Sequence, residues 1–129
     1  MSDFKKLKVW RKAHALALNV HRTARGIRGS DYSSLRSQMM RASMSIAANI
    51  VEGAGQLCRR EFGRFIRFAL NSSSELEYHL IVARDTQAVK PHDFDSLSSQ
   101  TVEVRKMLHG LLKRVTKSPD QPPQKVSAS

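Results

Sequence analysis

Apolar residues recur along this chain at steps of three and four, in four long segments separated by glycine, proline and short polar runs. Steps of that size put side chains on one face of a helix. The first segment runs from about Phe4 to Arg28, with Ser2 or Asp3 as N-cap. Its stripe is Trp10, Ala13, Ala17, Val20, Ala24 and Ile27, extended backwards by Leu7. The turn "GIRGSDYSS" follows. The second covers about 34–52, capped by Ser33, with Leu35, Met39, Ala42, Ile46 and Asn49 in step. Gly53 or Gly55 is expected to end it in a left-handed conformation.

The third segment is the longest, about 59–88, with Phe62, Ile66, Ala69, Ser73, Leu76, Leu80 and Ala83 as its stripe. At 1.5 Å per residue it spans about 45 Å. The fourth covers about 93–116, with Asp93 or His92 as cap and Pro91 at the boundary. Phe94, Leu97, Thr101, Val104, Leu108, Leu111 and Val115 form a heptad-like seam. No segment alternates with period two for long, so no sheet is expected. The fold class is all-α: an antiparallel up-and-down four-helix bundle over residues 1–117. The closing run "SPDQPPQKVSAS", residues 118–129, is expected to be a disordered tail.

Ala13, Ala17, Ala24, Ala42, Ala69 and Ser73 make the seams small. Small seams let helix axes approach, and they leave less apolar area per helix. Part of the core is therefore expected to be completed by another subunit.

Composition adds little to the fold and something to the function. The hydrophobic fraction is 40% and the charged fraction 26%, ordinary for a globular domain. The single cysteine, Cys58, excludes an internal disulfide framework. No apolar run approaches membrane length, and no apolar signal core follows the N-terminus, so the expected location is cytoplasmic.

Charge is the unusual property. Residues 1–67 hold 14 Lys and Arg against 4 Asp and Glu, a net +10, whereas residues 68–129 hold 8 against 7. Such a surplus points to a polyanionic partner, most often nucleic acid. Lys5, Lys8 and Lys12 lie on the polar side of the first helix, and Arg22, Arg25 and Arg28 crowd its end. Arg60, Arg64 and Arg67 step along one face of the third. These nine are the candidate phosphate contacts. Aromatics are not interleaved with them, which argues against base stacking.

The tests for chemistry come out against an enzyme. Glu75 and His79 are four apart with no second pair, so the Glu-x-x-His pattern of a bundle di-metal site is not met. His14 and His21 lack nearby acidic or thiol ligands and read as surface or interface residues. Cys58 opens the third helix beside Arg59 and Arg60, but spacing supplies no partner base. "GAGQLC" follows a helix rather than a strand, which removes the dinucleotide-loop reading. No catalytic residue, metal or cofactor is expected.

Asn49 and Glu52 in "RASMSIAANIVEGAG" are polar residues on or near a core stripe. A buried polar group needs a partner. Ser72, Ser73 and Glu75 in "NSSSELE", or an Arg from the first turns of the third helix, are the expected ones, giving an interhelical polar network of Asn49, Glu52, Ser72 and Glu75.

Three stretches carry a family resemblance: "FKKLKVWRKAHALAL", "LRSQMMRASMSIAANIVEGAG" and "EFGRFIRFALNSSSELEYHL". They resemble the bacterial four-helix-bundle family of 23S rRNA intervening-sequence proteins, over about residues 4–115. The Asn49-x-x-Glu52-Gly53 segment followed by Glu61-Phe62-x-x-Phe65 is its specific part. Cys58 departs from the resemblance, standing where a small hydroxyl residue is frequent. The resemblance implies an antiparallel bundle that assembles as a homo-oligomer, with a pentamer favoured, and no catalytic activity. The family is also similar to the accessory proteins of diversity-generating retroelements, basic pentamers that associate with a reverse transcriptase and nucleic acid. The expected function is a non-enzymatic basic scaffold binding structured RNA or RNA/DNA through phosphates. The alternative is a module docking an acidic protein, such as a reverse-transcriptase-type enzyme.

Overall fold

The computed structural model describes residues 3–117; the expected tail and the alternative cap Ser2 lie outside the described residues. Four helices make the fold: α1 Lys8–Arg25, α2 Ser33–Ala54, α3 Arg59–Asp85 and α4 Pro91–Lys117. Short 3₁₀ turns precede α1 and α2, at Phe4–Lys6 and Ser30–Tyr32. Each helix packs on its two neighbours in the cycle α1–α2–α3–α4 and not across the diagonal. The described residues contain no strand.

The first segment is not one continuous helix. Asp3 accepts a hydrogen bond from the Lys5 amide at 3.1 Å and caps a single 3₁₀ turn. Leu7 is then extended, at φ −76° and ψ 122°, and α1 starts one residue later. A tertiary contact selects this break. The Phe4 ring meets Trp10 edge-on, at 5.0 Å and 72°, which folds the opening residues back over α1. At the other end α1 stops at Arg25, short of Arg28. The Gly26 and Ile27 amides close on Thr23 and Ala24 carbonyls at 3.0 Å, and Gly29 turns the chain at φ 104°. Arg36 then donates to the Ile27 and Gly29 carbonyls, both at 2.9 Å, satisfying loop groups that have no helical partner.

The exit of α2 also departs from the expectation. Gly55 follows the helix at φ −84°, which is right-handed, and Gly53 stays inside it. Gly53 is there for closeness, since a β-carbon would lie 2.8 Å from Phe62 Cδ1 and 3.0 Å from Phe65 Cβ. Ser33 is the first helical residue rather than the cap. The left-handed closure belongs to α3 instead. Gln87 has φ 61°, and the Ala88 amide reaches back to the Ala83 carbonyl at 2.8 Å. This ends α3 at Asp85 rather than Ala88. Pro91 is the first residue of α4, where its missing N–H costs nothing.

The core runs the length of the bundle. Leu16, Val20, Met39, Ile46, Ile50, Ile66, Leu76, Leu80, Val104 and Leu108 are sealed from solvent. Four hydroxyls are buried with it; three of them donate to a carbonyl of their own helix, Ser43 to Met40, Ser73 to Leu70 and Thr101 to Leu97, and the fourth is Ser72. Among the described residues no helix is long and apolar enough to cross a membrane.

Candidate nucleic-acid interface

Antiparallel topology decides where the charge goes. The start of α1, the α2–α3 turn and the end of α4 share one end of the bundle. Gly63, in the second turn of α3, faces Thr116 and Leu112 near the end of α4, 3.5 and 3.6 Å from where its β-carbon would stand. The Gly53–Phe62 approach brings the end of α2 to the same level. Among the described residues this end contains 3–12, 50–67 and 110–117. They include twelve Lys and Arg (Lys5, Lys6, Lys8, Arg11, Lys12, Arg59, Arg60, Arg64, Arg67, Lys113, Arg114, Lys117) against Asp3, Glu52 and Glu61, a net +9. The opposite end, residues 20–37 and 83–97, holds six basic and four acidic residues, a net +2.

The nine candidates therefore do not form one site. Lys5, Lys8, Lys12, Arg60, Arg64 and Arg67 belong to the strongly basic end. Arg22, Arg25 and Arg28 lie at the other, since the 18 residues of α1 put about 27 Å between its ends. Sequence reasoning also left out Lys113, Arg114 and Lys117. They sit in a half of the chain whose net charge is near zero, and only the return of α4 beside the start of α3 adds them to the cluster.

Some of these cations already have partners. Lys12 Nζ is 3.5 Å from Glu103 across the α1–α4 junction, with both side chains about half exposed. Arg22 donates to Asn19. Arg64 bonds Glu61 at 3.0 Å, and its guanidinium lies 5.1 and 5.3 Å from the ring centroids of Phe65 and Phe68. Exposed pairs of this kind contribute little to stability, so such cations can exchange a carboxylate for a phosphate at small cost.

The polar network takes a different form from the expected one. Asn49 is half-buried and donates to the Ser45 carbonyl at 2.8 Å and to Ser45 Oγ at 3.2 Å. Ser45 Oγ is 2.9 Å from Ser72 Oγ, which joins α2 to α3. Asn49 and Ser72 are thus linked through a residue the sequence reading omitted. Glu52 and Glu75 are exposed and stand outside this network. The cause is helical phase: at 100° per residue Glu52 lies well round from Ile46 and Ile50, towards solvent. The α3–α4 link uses Glu77, whose Oε1 accepts from Arg105 at 2.8 Å, while Arg105 also reaches Ser73 at 3.4 Å.

Among the described residues no cluster of three or more His, Cys, Asp or Glu could hold a metal ion. Cys58 precedes α3 in extended conformation, and its side chain makes no capping hydrogen bond.

The family model for the 23S rRNA-intervening sequence protein matches residues 5–110. The chain belongs to that family. A solved structure from Bacteroides thetaiotaomicron, of a protein with unknown function from the S23 ribosomal protein family, is similar with a TM-score of 0.76. It is 24% identical, over 81% of this chain and 98% of that one, a likeness that shows the fold. No curated protein matches the chain. The family span stops short of Lys113, Arg114 and Lys117, so three cations of the basic end lie beyond it.

Proposed function

We propose that this protein is a non-enzymatic, basic, homo-oligomeric scaffold of the cytoplasm that binds nucleic acid through phosphate contacts, with structured RNA or RNA/DNA as its ligand. The observation that carries the reading is the net +9 gathered at one end of the bundle from three separate stretches of chain. Phosphate contacts release counterions, so affinity should fall steeply with salt. Among the described residues Phe68 and Tyr78 are the exposed aromatic rings, at 39% and 62%, and they stand ten residues apart on α3. Two rings so spaced make no platform for successive bases, which favours recognition by shape and charge over base reading. The family resemblance favours a pentamer as the assembled form.

Titrating fluorescent structured RNA against the protein at several salt concentrations tests the proposal. Binding whose log affinity declines linearly with log salt supports it. No binding at low salt, or a flat dependence, refutes it. Capture of an acidic protein that survives nuclease treatment would then assign the basic end to a protein partner.

A further inference from the structure

The α2–α3 turn carries an apolar side chain that the fold does not use. Leu57 is 98% exposed, more than any other large apolar residue among those described. It stands just before Cys58, the cap residue of α3. An apolar residue in that place ordinarily packs on the fourth residue of the helix, here Phe62. A side chain exposed to that degree makes no such contact. Phe62 is already covered, at 4% exposure, with Gly53 beside its ring.

The turn holds Leu57 out. On one side the Gln56 amide donates to the Gly53 carbonyl at 3.1 Å, and the Gln56 side chain donates to the Glu52 carbonyl at 3.0 Å. On the other side the Cys58 carbonyl accepts from the Phe62 amide at 3.1 Å. Both neighbours are thus tied to helix ends, so little backbone order is left to lose when Leu57 meets a partner.

Leu57 also belongs to the basic end. Arg59 and Arg60 follow within three residues, and Lys5, Lys8, Lys113 and Arg114 share the same end. Its carboxylates are Asp3, Glu52 and Glu61, and Glu61 is held by Arg64 at 3.0 Å. Cationic surroundings fit a polyanion. A single apolar tip among phosphate contacts fits a wedge between bases. A lipid surface suits it less, because even a whole fatty-acyl chain anchors a protein only marginally and one leucine is much smaller. An intact duplex step resists entry, since unstacking it costs more than one leucine returns. At a bulge or mismatch the stack is already interrupted, and most of that cost is absent.

We infer that Leu57 is a wedge that enters nucleic acid where base stacking is interrupted, so that the preferred ligand is a helix broken by a bulge or mismatch. The inference rests on the phosphate-binding reading above and deepens it, by naming the structural class of the ligand and the side chain that selects it. Phosphate contacts hold any helix alike, and Leu57 supplies the choice. Burial of one leucine side chain is worth about ten-fold in affinity, which sets the size of the preference.

Two fluorescent RNA hairpins test it, identical except that one carries a single-nucleotide bulge; each has 2-aminopurine at the same place, beside the bulge in the first. The wild type should bind the bulged hairpin about ten-fold more tightly and brighten its 2-aminopurine by unstacking it. Leu57→Ser should bind both alike, without brightening and with an unchanged salt slope, since no charge is lost. Leu57→Met should keep the preference. Because Leu57 packs on nothing, Leu57→Ser should unfold in urea as the wild type does. A wild type that binds both hairpins equally, or a Leu57→Ser protein that keeps the preference, overturns the wedge and leaves the phosphate reading standing. Failure of the wild type to bind either hairpin at low salt overturns the phosphate reading, and the wedge with it. A lower solution mass for Leu57→Ser overturns the wedge by assigning the leucine to a second copy. Loss of sedimentation with phosphatidylserine vesicles, with no change on the hairpins, overturns it by assigning the leucine to lipid.

Discussion

At Gly53 α2 packs tightly against α3, and replacing it by alanine should cost stability. A new β-carbon there would stand 2.8 Å from Phe62 Cδ1 and 3.0 Å from Phe65 Cβ, inside ordinary van der Waals distance. Phe62 is 4% exposed and cannot swing into solvent. Overpacking of a filled core costs about 1–3 kcal/mol. Against that, alanine is better than glycine inside a helix by about 0.8–1 kcal/mol. The net is a loss of about 1 kcal/mol. Gly110→Ala is the control, because the nearest atom to its β-carbon is the end of the flexible Arg114 side chain at 3.7 Å. That variant should gain close to the full 0.8–1 kcal/mol of helix propensity, roughly. The two should therefore differ by about 2 kcal/mol, or several degrees in Tm for a domain of this size. Urea and thermal unfolding should be compared at one protein concentration, since Tm depends on concentration for any protein that self-associates. A Gly53→Ala protein as stable as Gly110→Ala would refute the close-approach argument.

The basic end should account for the salt dependence. Replacing Lys8, Lys113 and Arg114 together by glutamine should lower the log–log salt slope of RNA binding by roughly 2, whereas the same change at Arg22, Arg25 and Arg28 should leave it unchanged. Asn49→Leu removes the donor to Ser45 and should cost about 1 kcal/mol in urea unfolding, or shift the solution mass, before it changes RNA affinity. Arg105→Ala breaks the α3–α4 link to Glu77 and should cost about 1 kcal/mol at low salt and less at high salt, because Glu77 is 41% exposed and the pair is partly screened.

The four helices were legible because each carries a long 3.6-residue period, a signal that depends only on neighbours along the chain. The break at Leu7 was not, because the edge-on contact between Phe4 and Trp10 is tertiary. Gly53 and Gly55 were legible as the exit of α2 but not for the right reason: closeness to Phe62 leaves no trace in local sequence. The polar pair shows the same limit. Asn49 lies near enough to the core face for its step to be read correctly, whereas Glu52, one turn on, has rotated towards solvent. Arg105 escaped notice because it is nearly thirty residues from Glu77 and pairs with it only after α3 and α4 are laid antiparallel. The charge cluster is the clearest case. Counting by sequence halves places the surplus in residues 1–67, and it sets Arg22, Arg25 and Arg28 beside Lys5, Lys8 and Lys12. Topology separates those two groups by a helix length and adds three cations from the far end of the chain.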